Sequence, residues 1–428
     1  MNRDSKRSEK ANDKSVKRRR LRAKLLLLLT SFLFCLIVIE IGLRIAGFSY
    51  PEFYVVDSRR GYSLRPGVEG WYRKEGEAFV RINSDGLRDR EHAKTKPPNT
   101  LRVAVLGDSY AEALQVPIEN SFCVMLEQKL RECQANTGRN VEVINFGVSG
   151  YGTAQELITL RENVWQYSPD IVLLAITTNN DISDNVRELK RVDQIPYFVW
   201  RDGQLVEDQS FRQSRGFKTR NSFVGRMGRW FRDHLRVVQG IDLAIRNYKA
   251  SRAMRQATPN TQTPAANNNG SNSPAPVSPA PAPVADIGID NQIYREPTDP
   301  VWNNAWRTTE ALIKIMSDEV RARGAKFLVL TLSNGIQVTP NQQTRTAFLS
   351  SIGARDIFYP DNRIRSFCER ENIPVLTMAP SLQRFVETNN AFIHGFGDNI
   401  GNGHWNVLGN HEGGKLAALK VCELLANP

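Results

Sequence analysis

The stretch Leu101–Ser109, LRVAVLGDS, decides the fold. Arg102 to Leu106 are mostly β-branched or aliphatic with little polar alternation, the pattern of a strand buried on both faces of a parallel sheet, and Gly107-Asp108 end it sharply. Ser109 is thereby placed at the carboxyl edge of a strand, just before a helix. That edge is where open α/β sheets bind ligands, and the unpaired N–H groups of a helix start favour a developing anion. An Asp-Ser after a strand also suits plain helix capping, so the rest of the chain has to decide between the two roles.

From Leu101 onward a regular rhythm holds. Strand-like runs occur at Arg102–Leu106, Val141–Phe146, Ile171–Ile176, Phe327–Leu332 and Ile373–Thr377, separated by helical patterns such as Asn120–Glu132, Thr153–Gln166 and Asn303–Ala322. Alternating β and α elements predict a five-stranded parallel sheet in a flavodoxin-like three-layer α/β/α sandwich. Between the third and fourth strands, at about residues 186–300, the rhythm is interrupted by an insertion. Arg212–Arg255 holds 12 Lys/Arg against 2 Asp/Glu, and Phe223, Val224, Met227, Trp230, Phe231, Leu235, Val238, Ile241 and Ile245 recur at roughly helical intervals. This cationic amphipathic helix either packs on the domain with a solvated basic face or lies on an anionic lipid or acidic glycan. Ala257–Ala285 is Pro, Ala, Asn and Ser without apolar periodicity, which predicts a disordered loop.

The net charge of the 428 residues is +12, of which +8 falls within Met1–Lys24. The remaining charge is too small for a nucleic-acid-binding face. Leu25–Ile39 is uncharged, and together with its flanks up to Phe48 it is long enough to cross a bilayer once Glu40 and Arg44 reach the interface. No A-x-A cleavage site lies near Ile45-Ala46-Gly47, so residues 25–48 are expected to be an uncleaved signal anchor in an inner membrane. The basic tail, residues 1–24, then stays cytoplasmic and the remainder faces the periplasm or cell exterior. Residues 49–100, rich in Gly, Pro, Arg and aromatics, read as a small irregular β segment leading from the anchor to the domain at 101–428. Of five cysteines, Cys35 falls in the anchor, and Cys123, Cys133, Cys368 and Cys422 show no C-x-x-C spacing; a disulfide among them is open. No His/Cys/Asp cluster has metal-ligand spacing, and no cofactor is expected.

Acyl transfer at serine requires a nucleophile, a base, a group orienting the base, and oxyanion donors. The second strand ends in NFGVSGYG, Asn145–Gly152, where small residues let backbone N–H groups approach a ligand. The third ends in TTNNDISDN, Thr177–Asn185, and the last helix is preceded by GNGHWNVLGNH, Gly401–His411, with His404 as a base. Ser149 is no G-x-S-x-G nucleophile, because Tyr151 replaces the second glycine. His92, His234, His394 and His411 have no carboxylate pattern around them and read as surface or structural residues.

Gly107-Asp108-Ser109, Gly150, Asn180 and His404, in that order, resemble the four blocks of SGNH hydrolases, the GDSL-type esterases, and most closely their membrane-anchored bacterial branch. The resemblance implies Ser109 as nucleophile, His404 as base, and an oxyanion hole from the Ser109 N–H, the Gly150 N–H and the Asn180 side chain. Asp108 shapes the turn. The substrate it implies is a carboxylic ester, such as an acylated glycan or lipid. One departure stands out. The family's aspartate three residues before the histidine, or two in acetyltransferase relatives, is replaced here by Gly401 and Asn402, and the nearest acid is Asp398. Either Asp398 orients His404, or Asn402 or a backbone carbonyl does so in a dyad. Three activities stay open: ester hydrolysis, O-acyl transfer to an envelope polysaccharide, and a noncatalytic envelope-binding protein on the same fold.

Overall fold

The structure, a computed structural model, describes residues 4–257 and 291–426. In chain order, α1 (Asp4–Ile45) is followed by two antiparallel hairpins, β1 (Tyr54–Asp57) with β2 (Gly61–Leu64) and β3 (Glu69–Tyr72) with β4 (Ala78–Arg81). Then come β5 (Thr100–Gly107), α2 (Ser109–Glu112), α3 (Phe122–Arg131), β6 (Asn140–Asn145), α4 (Thr153–Glu162) and β7 (Ile171–Thr177). The insertion holds α5 (Arg187–Lys190), a hairpin β8 (Tyr197–Arg201) with β9 (Gln204–Asp208), α6 (Arg215–Asn221), α7 (Phe223–His234) and α8 (Arg236–Ala257). The chain closes with α9 (Pro300–Ala322), β10 (Lys326–Leu332), α10 (Gln342–Ile352), α11 (Tyr359–Arg370), β11 (Val375–Thr377), α12 (Ala379–Asn389) and α13 (Val407–Ala426). Two bodies emerge: residues up to Glu52 with those from Arg226 to 257, and the residues from Phe53 to Gly225 with 291–426.

In the larger body β5, β6, β7, β10 and β11 form one parallel sheet in the order β11-β10-β7-β5-β6. The five expected strands are all present. Leu101, Val103 and Val105 enter one core with Leu173, Leu330 and the helix α13, while Ala104 and Leu106 enter the other with Leu174, Val329 and α9. Alternate residues of one strand therefore feed opposite faces, which is why the run lacks polar alternation. Arg102 is fully buried within it, and its guanidinium is satisfied by Glu142 at 2.6 Å and by the carbonyls of Ala93, Lys94 and Tyr167. The strand order reverses between β5 and β7, so the ligand crevice of such a sheet opens where those two strands end.

The segment after residue 49 is more than a spacer. Phe53, Leu64, Val68, Ala78, Val80 and Ile82 form a third small core with Leu114, Val148 and Tyr151, which stand on the loops beyond β5 and β6. The hairpins are thereby fixed beside the carboxyl edge of the sheet. A disulfide joins Cys133, after α3, to Cys422 of α13. The cationic stretch is three helices in succession, broken at Ser222 and Leu235. Most of the expected disordered loop, residues 258–285, lies outside the described residues.

Candidate active site

Asp108 caps α2 and ties the ends of two strands together. Its carboxylate accepts from the Tyr110 N–H at 3.0 Å, the Thr177 hydroxyl at 2.9 Å and the Asn180 side-chain amide at 3.1 Å. All of this acts on the turn, as its position in the sequence suggests. Ser109 follows as the first residue of α2, beside the point where β5 and β7 part.

His404 approaches from the loop before α13, and its Nε2 lies 2.8 Å from Ser109 Oγ, which joins residues 295 positions apart. The imidazole's other nitrogen, Nδ1, is 2.5 Å from Glu75 Oε2, while Glu75 Oε1 accepts the His404 backbone N–H at 2.7 Å. Glu75 stands in the turn between β3 and β4. The acid behind the histidine is therefore neither Asp398, Asn402 nor a backbone carbonyl. Asp398 sits exposed in a single 3-10 turn, and the loop's hydrogen bonds from Gly395 to the His404 carbonyl and from Gly401 to the His394 carbonyl fold that turn on itself. Gly403, with φ +79°, makes the carboxylate's approach feasible, since a Cβ there would lie 2.2 Å from Glu75 Oε1.

Burial opposes charge on both partners, yet each favours the charged form of the other. Desolvation alone would push the Glu75 carboxyl up, but the hydrogen bond and charge of His404 bring it below its ordinary value. Desolvation likewise opposes the imidazolium, but the Glu75 hydrogen bond and charge raise His404 above its ordinary value. Their side chains are 21% and 27% exposed, so the pair is sheltered but reachable.

His394 supports the loop. Its Nδ1–H donates to the Gly403 carbonyl at 2.7 Å, and Tyr110 donates to the same oxygen at 3.0 Å. Trp405 donates to Ser333 Oγ, which in turn lies 3.0 Å from His394 Nε2. Full burial pushes His394 down to about 4, which keeps it neutral in this network. His92 has a carboxylate after all, Asp89 at 3.2 Å, but the other task of that acid is structural: it accepts the Asn145 N–H at 2.9 Å in β6.

Beyond β6, the loop carrying Gly150 is held on three sides. Glu112, fully buried in α2, accepts from the Ser149 N–H at 3.0 Å, from the Ser149 hydroxyl, and from the Tyr54 hydroxyl at 2.9 Å. Tyr62 donates to the Ser149 carbonyl at 2.8 Å, and Lys190 donates to the Gly150 carbonyl at 3.3 Å. Gly150 adopts φ +76°, and a Cβ on it would stand 2.8 Å from the Tyr62 oxygen. Burial pushes the Glu112 carboxyl up to about 7, against the opposing pull of the Ser149 and Tyr54 hydrogen bonds and of Arg88. Tyr54, Tyr62 and Glu75 all belong to the hairpins, so the segment between α1 and the sheet supplies part of the site. In the sequence the sole hint of Glu75 is negative: a histidine with no acid two or three residues before it must find one elsewhere.

No family model matches the chain. A curated arylesterase of Vibrio mimicus is 36% identical over 81 residues, which are 19% of this chain, and the match spans about 38% of that relative's length. Among solved structures, an acetyl xylan esterase is 13% identical, with 76% of this chain and 99% of the other covered, at a TM-score of 0.34. An acetylxylan esterase from Geobacillus stearothermophilus is 11% identical, with 77% and 95% covered, at a TM-score of 0.35. The five-stranded sheet, with its strands ordered about a switch point, and the blocks at Ser109, Gly150, Asn180 and His404 have the layout of an SGNH hydrolase, the superfamily that the sequence resembles.

Proposed function

We propose that the chain is a membrane-anchored serine esterase of SGNH type that cleaves carboxylic esters through an acyl-Ser109 intermediate. The observation that carries this reading is the unbroken relay from Ser109 Oγ through His404 to Glu75 at the switch point of the sheet. His404 Nε2 takes the serine proton as Oγ attacks the acyl carbon, and Glu75 keeps the proton on Nδ1 and stabilises the imidazolium. The oxyanion is received by the Ser109 N–H, the Gly150 N–H and the Asn180 side-chain amide, which Asp108 positions at 3.1 Å. Each such donor contributes about 3 kcal/mol to the transition state. Collapse of the tetrahedral intermediate expels the alcohol oxygen, which takes the proton from Nε2. Water then repeats the sequence, releasing the acid and restoring the serine. A complete relay counts against a binding-only role.

Anchoring is supported by α1, whose stretch Arg18–Ile45 is long and apolar enough to cross a membrane. At 28 residues it reaches about 42 Å, more than the ~30 Å hydrocarbon core. The disulfide between Cys133 and Cys422 suits an oxidising compartment and supports an extracytoplasmic domain. An aryl ester is the natural first substrate, given the partial relative's name. A fluorophosphonate probe tests the assignment: a stoichiometric adduct on Ser109 is expected, lost in Ser109→Ala, and a folded, unlabelled Ser109 would refute it.

A further inference from the structure

In the smaller body, the helices α7 and α8 are fastened to the outer end of α1. Glu40 Oε2 accepts the Val237 N–H at 3.0 Å, and its other oxygen accepts from Arg44 at 2.8 Å. Arg44 also donates to the His234 carbonyl at 2.5 Å. Gln239 accepts the Tyr50 N–H at 2.8 Å, and Arg232 pairs with Glu52 at 2.7 Å. These contacts grip the junction of the two helices, so the level of residues 40–52 fixes the level of α7 and α8. If α1 spans a bilayer, that level is the headgroup region, since Glu40 and Arg44 mark the polar end of its apolar run.

The helices held there have the wrong surface for water. On α7 the side chains of Met227, Trp230 and Phe231 share one arc, Arg229 and Arg232 occupy the opposite one, and Arg226 flanks the apolar arc one turn before Trp230. An amphipathic helix packed on a protein buries its apolar arc, yet Trp230 is 53% exposed, with Met227 and Phe231 also open. On α8, Ile241, Ile245 and Tyr248 follow at i, i+4 and i+7 and are equally open. An apolar arc opposite a cationic one, at the end of a spanning helix, fits an interface of acyl chains and anionic headgroups. We infer that α7 and α8 form an interfacial membrane element that lies on an anionic leaflet and inserts Met227, Trp230, Phe231, Ile241, Ile245 and Tyr248 below the headgroups. The inference rests on the reading of α1 as a span.

The full chain in nanodiscs with bromine on the lipid acyl chains provides the test. The chain has seven tryptophans, and the emission lost on Trp230→Phe isolates one of them. That component is expected to be quenched by at least half in bromolipid discs containing phosphatidylglycerol, and less in phosphatidylcholine alone. Arg226→Glu with Arg229→Glu should reduce the quenching in the anionic discs. Unquenched Trp230 emission, or Trp230 shielded from both bromolipid and aqueous acrylamide because a second copy covers it, overturns the proposal. Alkaline carbonate extraction separates the two readings: a chain retained in the membrane with unquenched Trp230 sinks the interfacial element alone, whereas a chain released by carbonate sinks the span and this inference with it.

Discussion

The two walls of the site are built on different principles. One wall is the carboxyl edge of the sheet, where β5, β6 and β7 end in Ser109, the Gly150 loop and Asn180; these positions follow from strands buried on both faces. The other is the pair of hairpins that follow α1 in the chain, whose own small core places Glu75 on His404 and Tyr54 and Tyr62 around Ser149. On the proposed reading the first wall holds the reacting atoms and the second orients them, and cutting the domain at Leu101 would remove the carboxylate that meets His404.

The comparison breaks most severely on the first wall. Ser109→Ala should lower kcat for an aryl ester by on the order of 10⁶, to the level left by the remaining oxyanion donors, as removal of a triad serine does elsewhere. On the second wall the largest effect belongs to Glu75. Glu75→Gln should cost about 10⁴ in kcat, because the wrong tautomer of His404 is then favoured. Asp398→Asn, on the exposed turn, should leave kcat within twofold of the parent, an estimate consistent with an exposed position (~0.5 kcal/mol).

Smaller effects separate orientation from folding. Glu112→Gln keeps an acceptor for the Ser149 N–H but weakens the grip on the Gly150 loop, and should lower kcat/KM by up to about 100-fold without abolishing the serine adduct. It also has a signature in stability. The Glu112 carboxyl is raised to about 7 in the folded chain, so its contribution is fully present below its ordinary pKa and fades as pH rises through 7. The Tm of Glu112→Gln relative to the parent should therefore improve from pH 5 to pH 8. Tyr62→Phe loses one hydrogen bond to the Ser149 carbonyl and should cost about fivefold in kcat/KM, equivalent to ~1 kcal/mol.

Much of the first wall was legible because periodic burial leaves a mark on the residues themselves. Leu101 to Leu106 lacks polar alternation since both faces of β5 are covered, Gly150 marks where the backbone turns with φ +76°, and Gly147 and Gly152 mark where other segments approach too closely for a Cβ. His404 was legible through its HWN context. Glu75 was not, since a glutamate in a polar turn, RKEGE, looks the same whether it meets water or an imidazole. Its role is created by the packing of Val80 and Ile82 against Val148 and Tyr151, and by the missing Cβ of Gly403, none of which is local to it. The break at Leu235 was equally hidden, because the apolar spacing runs on through it while the hydrogen bonds of Glu40 and Arg44 to α7 and α8 hold the bend.

The claim that Glu75 completes the relay is tested most directly by the pH dependence of kcat/KM for parent, Glu75→Gln and Asp398→Asn. Glu75 raises His404, and a base must be neutral to act, so parent activity should climb with pH through a midpoint above the ordinary histidine value. In Glu75→Gln the midpoint should drop, as burial then meets only the weaker pull of Asp108 and Glu112 on the imidazole, and the plateau should fall by about 10⁴; Asp398→Asn should match the parent. A parent-like profile in Glu75→Gln together with a displaced one in Asp398→Asn would contradict the account.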